Sequence, residues 1–209
     1  MKKEKQRILS EEEQKRLAQF EQTSEELAGQ GYVRHDLTIG MGKAGWIAIF
    51  MLVPLFIAGY GLYYLVHHRI EMTGFNGASF LITFLLLTVV HELIHGLSWS
   101  IFTPNHFKDI AFGIMMPYLS PYCTCRVPLK KSQHIFGTAM PFILLGIVPA
   151  MIGIAVGQPK VLLMGILMID IAVGDILIIL KILVYKSSAK DIVYMDHPTD
   201  AGGVIFERQ

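Results

Sequence analysis

Charge is scarce in this sequence, and what there is nearly cancels. Charged residues make up 17% of the 209, and the formal net charge is +1. That leaves no basic stripe for a phosphate backbone, so nucleic acid is excluded as a partner. Cysteine is scarce too: Cys123 and Cys125 are the only two. A pair separated by one residue neither frames a disulfide-stapled domain nor bridges itself easily. No apolar run occurs before about residue 45, so the opening MKKEKQR does not read as a secretory signal. Internal repeats are absent, which argues against the paired halves of a secondary transporter.

Apolar residues are what the chain has in excess, at 53%. They gather in four runs, each long enough for the roughly 20 residues that a helix needs to cross a bilayer. The runs cover residues 45–66, 78–102, 134–157 and 161–185. Pro54 is expected to kink the first, and Pro141 and Pro149 to interrupt the third. The expected fold is therefore an all-α membrane protein with four transmembrane helices. It divides into a cytosolic N-terminal segment (1–44), a four-span transmembrane domain (45–185) and a cytosolic tail (186–209). Of the 18 basic residues, all but Arg69 and Lys160 fall on one side of such a membrane. By the positive-inside rule that side is the cytosol, which puts both termini there in a multi-pass protein of the cell membrane.

The flanking segments carry weaker signals. Ser10 before Glu11, Glu12 and Glu13 reads as a capping-box helix start. Leu17, Phe20 and Leu27 then form a sparse apolar stripe, suited to a loosely packed surface helix or to the lipid headgroup layer. In the loop of residues 103–133, Tyr122, Thr124 and Arg126 alternate with Cys123, Cys125 and Val127. That is strand periodicity, broken nearby by Pro117, and it suggests a small β-hairpin with an edge open to strand addition. The cysteines then read as small buried residues. Asp196-His197-Pro198 and Gly202-Gly203 read as turns. His67, His68 and His134 lie at span ends and read as interfacial.

The chemistry lies in the second run, as His91-Glu92-Leu93-Ile94-His95. Ionisable groups at that depth of a membrane are costly and ask for a reason. On a helix, His91 and His95 share a face and can offer two imidazoles to one metal ion, with Glu92 beside them as general base. Catalytic zinc takes a third protein ligand. The fourth run offers Asp170 and Asp175. It crosses in the same direction as the second, and Asp175 is nearly level with His91, whereas Asp170 lies about 7–8 Å nearer the outside at 1.5 Å per residue. Depth favours Asp175. Asp170 remains as an alternative ligand, or as a carboxylate that orients a ligand histidine. Gly174 next to Asp175 would let helices approach closely. Zinc would activate a water, Glu92 would take its proton, and a peptide bond would be hydrolysed. Asn105 and His106, near the inner mouth, are polar candidates for oxyanion stabilisation. The competing readings are a non-catalytic metal-binding scaffold that binds a membrane partner, and a small transporter.

HELIHG on one span, a loop, an intervening span and then an Asp-bearing span reproduce the core order of the site-2 proteases, which this chain resembles. It is similar more closely to a bacterial family of zincin-peptidase membrane proteins, through DLTIG, HELIHG, PYCTCRVPL, MPFILLGIVP, VGDILI and DHPTDAGG. The resemblance implies zinc held by His91, His95 and Asp175, Glu92 as catalytic base, and membrane proteins as substrates. Asp175 follows its glycine here, where the site-2 motif has the glycine after the aspartate.

Overall fold

The computed structural model describes residues 11–115, 120–198 and 202–209. Ser10, Pro117 and residues 199–201, which figured in the sequence reading, lie outside them. Helix α1 runs Glu11–Gly29 and is followed by strand β1, Val33–Thr38. Two long apolar helices come next, α2 (Met41–His67, continuous through Pro54) and α3 (Gly77–Ser100). A single 3-10 turn, His106–Asp109, leads into the hairpin β2 (Ile110–Met115) and β3 (Ser120–Cys125). After the short β4 (Leu129–Lys130) come α4 (Lys131–Pro141), a π-helical segment (Phe142–Ile147) and α5 (Val148–Ala155). Helices α6 (Pro159–Ile171) and α7 (Val173–Val184) and strands β5 (Asp191–Asp196) and β6 (Gly202–Arg208) complete the order.

Three rods are long and apolar enough to cross a membrane: α2, α3 and the stretch Lys131–Ala155. The pair α6–α7, bent by 49°, makes a fourth if taken as one span. Pro141 and Pro149 do not break the third rod. A π-helical segment, Phe142–Ile147, lies between them. The outer faces of α2 and α3 remain bare, with Phe50, Ile57, Leu65 and Leu86 each more than 60% exposed. Between α5 and α6 the backbones nearly touch. A Cβ at Gly153 would lie 2.4 Å from the Leu162 nitrogen, and one at Gly165 would lie 2.5 Å from the Ala150 nitrogen. The close approach expected at Gly174 is not there, because a Cβ at that position meets nothing within 4 Å.

The hairpin expected in the inner loop is present, with Gly113 opposite Tyr122 and Ile110 opposite Cys125. The chain is nevertheless not all-α. A four-stranded antiparallel sheet in the order β1-β6-β5-β4 joins the N-terminal segment, the inner loop and the tail. Alternation along β5 and β6 gives the sheet two apolar faces. Met195, Val204 and Phe206 pack against Phe20 and Leu27 of α1. Tyr194 and Ile205 face Ile182 of α7. The stripe on α1 is thus sealed against the tail rather than left for solvent or lipid. The turn reading at His197 and Gly202 holds: the His197 N–H bonds the Gly202 carbonyl at 2.9 Å and closes β5 onto β6.

Candidate metal centre

Helix α3 changes character along its length. Leu81, Leu85 and Leu86 are exposed, while His91, His95, Ser98, Trp99 and Ser100 are buried. The four-residue spacing stacks the two imidazoles edge to face, with centroids 4.8 Å apart and Nε2 atoms 3.1 Å apart. Asp175 enters from the first turn of α7, just past the bend at Ala172. Its Oδ2 lies 3.1 Å from His91 Nε2 and 3.4 Å from His95 Nε2.

Helix α4 fixes one of these rings. Pro141 has no N–H to give to the Gly137 carbonyl four residues earlier. His95 Nδ1 sits 2.9 Å from that carbonyl oxygen. A carbonyl only accepts, so Nδ1 carries the proton and donates it, which leaves the Nε2 lone pair directed at His91 and Asp175. Trp99 secures the same contact from below. Its ring stacks on His95 with centroids 5.1 Å apart, and its Nε1–H donates to the His134 carbonyl at 3.2 Å. The indole needs a side chain missing opposite it: a Cβ on Gly137 would sit 2.1 Å from Trp99 Cδ1 and Nε1.

The three donor atoms fit a zinc ion. With bonds of 2.0–2.1 Å and tetrahedral angles, neighbouring ligand atoms stand about 3.3 Å apart, against 3.1, 3.1 and 3.4 Å here. With Nδ1 bound to the Gly137 carbonyl, Nε2 is the ring nitrogen of His95 that faces the Asp175 carboxylate, the arrangement in which both could ligate one cation. Among the described residues this is the group of three His, Cys, Asp or Glu side chains gathered closely enough to hold a metal ion.

Glu92 is held from the other side. The Cys123 backbone N–H of β3 donates to its carboxylate. Two residues on, the Cys125 N–H donates to Asp196 Oδ2 at 2.8 Å. Residue 121 of the same edge is proline, so the β3 edge facing away from β2 has no free donor left at these alternate positions. The strand-addition edge expected from the sequence is occupied by two carboxylates of the protein itself. A cavity of about 190 Å³ opens beside this strand. Glu92, His95 and Asp175 line it at one end, and Tyr122, Asp196 and Arg16 line it toward α1.

Residues 84–190 match a family model described as "Putative zincin peptidase". The chain belongs to this family. The match takes in His91, Glu92, His95, Gly137 and Asp175 and leaves out Arg16 and Asp196. No curated protein and no solved structure matches the chain.

Within this zincin-family site, several expectations change. Asp170 does not join the cluster, and its buried Oδ1 has no hydrogen-bond partner among the described residues. The His91 Nδ1 likewise has none. Asn105 and His106 do not line the cavity. The Asn105 backbone N–H donates to Asp109 Oδ2 at 2.8 Å, and His106 Nδ1–H to the Ser100 carbonyl at 3.0 Å, which closes the end of α3. His67 packs within the bundle, with Nε2 2.6 Å from the Ile154 carbonyl.

His134 is the largest correction. It is not interfacial but 1% exposed, on the cavity wall. Its Nε2–H donates to Asp196 Oδ1 at 3.0 Å. Asp196 therefore ties α4, which holds His95, to β3, which holds Glu92. Reading Asp196 as a turn residue hid that role. The available signal was a carboxylate closing the apolar run Ile192-Val193-Tyr194-Met195. The cysteines do behave as expected, as free thiols on β3, Cys125 being buried. Burial pushes both thiols up, Cys125 to about 12.

Proposed function

We propose that this protein is a membrane-embedded zinc metallopeptidase, of the HExxH and site-2-protease-like type, acting on membrane or membrane-associated proteins from the cytosolic side. One observation carries the reading. Two histidines and a carboxylate stand at zinc-ligand separations, and His95 and Asp175 of that cluster share a cavity with a glutamate that is separately held in place. His91, His95 and Asp175 would hold the ion, and the ion supplies Lewis acidity toward water and a carbonyl oxygen. Glu92 accepts the proton of the attacking water and returns it to the leaving nitrogen. Cys123 N–H keeps that carboxylate turned toward the cavity. Gly137 and Trp99 keep the His95 Nε2 lone pair directed inward.

The bare apolar faces of α2 and α3 support a lipid environment. The sheet gathers the basic N-terminal segment, inner loop and tail at one end of the molecule. Lys160 binds the Thr73 carbonyl, joining the two loops expected on the outside. The cavity is lined by β3 and the β5–β6 turn, so it faces the expected cytosolic end.

The test is Glu92→Gln in detergent-purified protein. Metal analysis should show one zinc per chain in both forms. Incubation with a diverse peptide mixture, read by mass spectrometry, should give cleavages in the parent that fall by about 10²-fold or more in the variant. Equal cleavage by both forms, or a parent without stoichiometric zinc, rejects the proposal.

A further inference from the structure

Arg16 is unlike the other basic residues on α1. It lines the cavity that also holds Glu92, His95 and Asp175. Its guanidinium carbon lies 4.1 Å from the centroid of the Tyr122 ring. That ring is itself fixed. It lies across Gly113 of the paired strand, where a Cβ would come within 2.3 Å of the phenol oxygen. The platform is thus built by the hairpin, and the cation resting on it comes from a different part of the chain.

Among the described residues Arg16 also has no carboxylate partner. No ion pair joins it to a described residue, and its buried Nε has no hydrogen-bond partner there. This contrasts with Arg34, which pairs with Glu21 and Asp36, and Arg208, which pairs with Asp191. A buried guanidinium N–H without an acceptor is costly, and its planar fork matches a carboxylate. Among the described residues, the acids that line the cavity cannot turn to it freely. Asp196 is engaged by His134 and Cys125, Asp175 by the two histidines, and Glu92 by Cys123. At about 190 Å³ the cavity is smaller than the roughly 300 Å³ at which ligand pockets begin. A group on Arg16 and a group at Glu92 therefore belong to neighbouring parts of one ligand.

We infer that Arg16 is the specificity residue of the site and binds a carboxylate of the peptide substrate close to the bond cleaved. The inference rests on the peptidase reading above. The carboxylate is either the substrate's own C-terminus or an aspartate or glutamate side chain. Arg16 binds and orients the substrate, while Glu92 remains the base.

Binding is measured by fluorescence anisotropy in the full-length Glu92→Gln protein, so that hydrolysis plays no part. The probes are four fluorescein-labelled apolar peptides of one length. Two differ only in a C-terminal acid or amide. Two amidated peptides differ only in one internal Asp or Asn. One acid form should bind about tenfold or more tighter than its neutral twin. A ratio in the first pair identifies a terminal carboxylate, and a ratio in the second identifies a side chain. Adding Arg16→Gln should bring that ratio to about one while leaving the neutral twin's affinity unchanged, and Arg16→Lys should retain part of it. Ratios near one in both pairs overturn the inference, as does binding of none of the four. It is also overturned if Arg16→Gln weakens acid and neutral forms equally, since that marks a structural role. A protein that binds with Arg16-dependent preference but never cleaves loses the peptidase reading and keeps this one.

Discussion

Gly137→Ala puts the geometry of the candidate metal centre under a one-methyl load. The new Cβ would stand 2.1 Å from Trp99, and ordinary contact begins at about 3.4 Å. Something must therefore retreat by about 1.3 Å. If α4 retreats, the His95 Nδ1 to Gly137 bond opens from 2.9 Å to beyond any hydrogen-bond limit. If Trp99 retreats instead, it leaves its stack on His95 and its bond to the His134 carbonyl. Either route frees the imidazole, and losing the hydrogen bond that orients a ligand histidine typically costs 10–100-fold in metal affinity, on the order of 1.4–2.7 kcal/mol. The overpacking itself costs about 1–3 kcal/mol of stability. The assay is zinc affinity by chelator competition, with thermal unfolding measured on the same samples. The control is Gly165→Ala, which forces a Cβ to 2.5 Å from the Ala150 backbone, between helices that carry no member of the cluster. It should lower the melting temperature and leave zinc affinity unchanged. Parental zinc affinity in Gly137→Ala, or equal losses of affinity in both variants, would refute the link from Pro141 through Gly137 to His95.

Other outcomes follow from the same contacts. Asp175→Asn should reduce zinc content sharply while Asp170→Asn leaves it stoichiometric, read by metal analysis. The reverse result would make Asp170 the ligand. Asp196→Ala leaves the Cys125 N–H and His134 Nε2–H buried without acceptors, at about 1–3 kcal/mol each, while Asp196→Asn keeps one acceptor and should lose less; thermal unfolding in detergent ranks them. The Cys125 thiol, pushed up to about 12 by burial, stays protonated at pH 8 with a thiolate fraction of about 10⁻⁴. Alkylation followed by mass spectrometry should therefore leave Cys125 unmodified until the protein is unfolded, and prompt labelling of the native protein would contradict that.

What could be read from the sequence was local, or depended on depth along an axis. The hydrophobic runs, the i, i+4 histidines and the strand alternation around Cys123 each need only neighbouring residues. The level match of Asp175 with His91 needed only a direction for each span. The four-stranded sheet was hidden for the opposite reason. Val33–Thr38 pairs with Gly202–Arg208 across most of the chain. β1 and β5 also carry Arg34, His35, Asp36 and Asp191, whose charges obscure their period. His134 was misread because its position at the start of a span suggested an interface, and only the fold brings the tail's Asp196 over it. Gly137 and Pro141 were both visible. That the proline frees the very carbonyl the histidine takes depends on α3 lying beside α4.

The order of the sheet also governs when the site can come into being. β6, Gly202–Arg208, is not an edge strand but lies between β1 and β5. β6 follows both of its neighbours in sequence and must slot between them before the sheet can close. Until it does, β5 lacks its longer neighbour, and Asp196 has no firm seat from which to join α4 to β3. The helices bearing His91, His95 and Asp175 can pack while this is pending. A nascent chain would then carry the residues of the candidate metal centre before it carries a finished cavity.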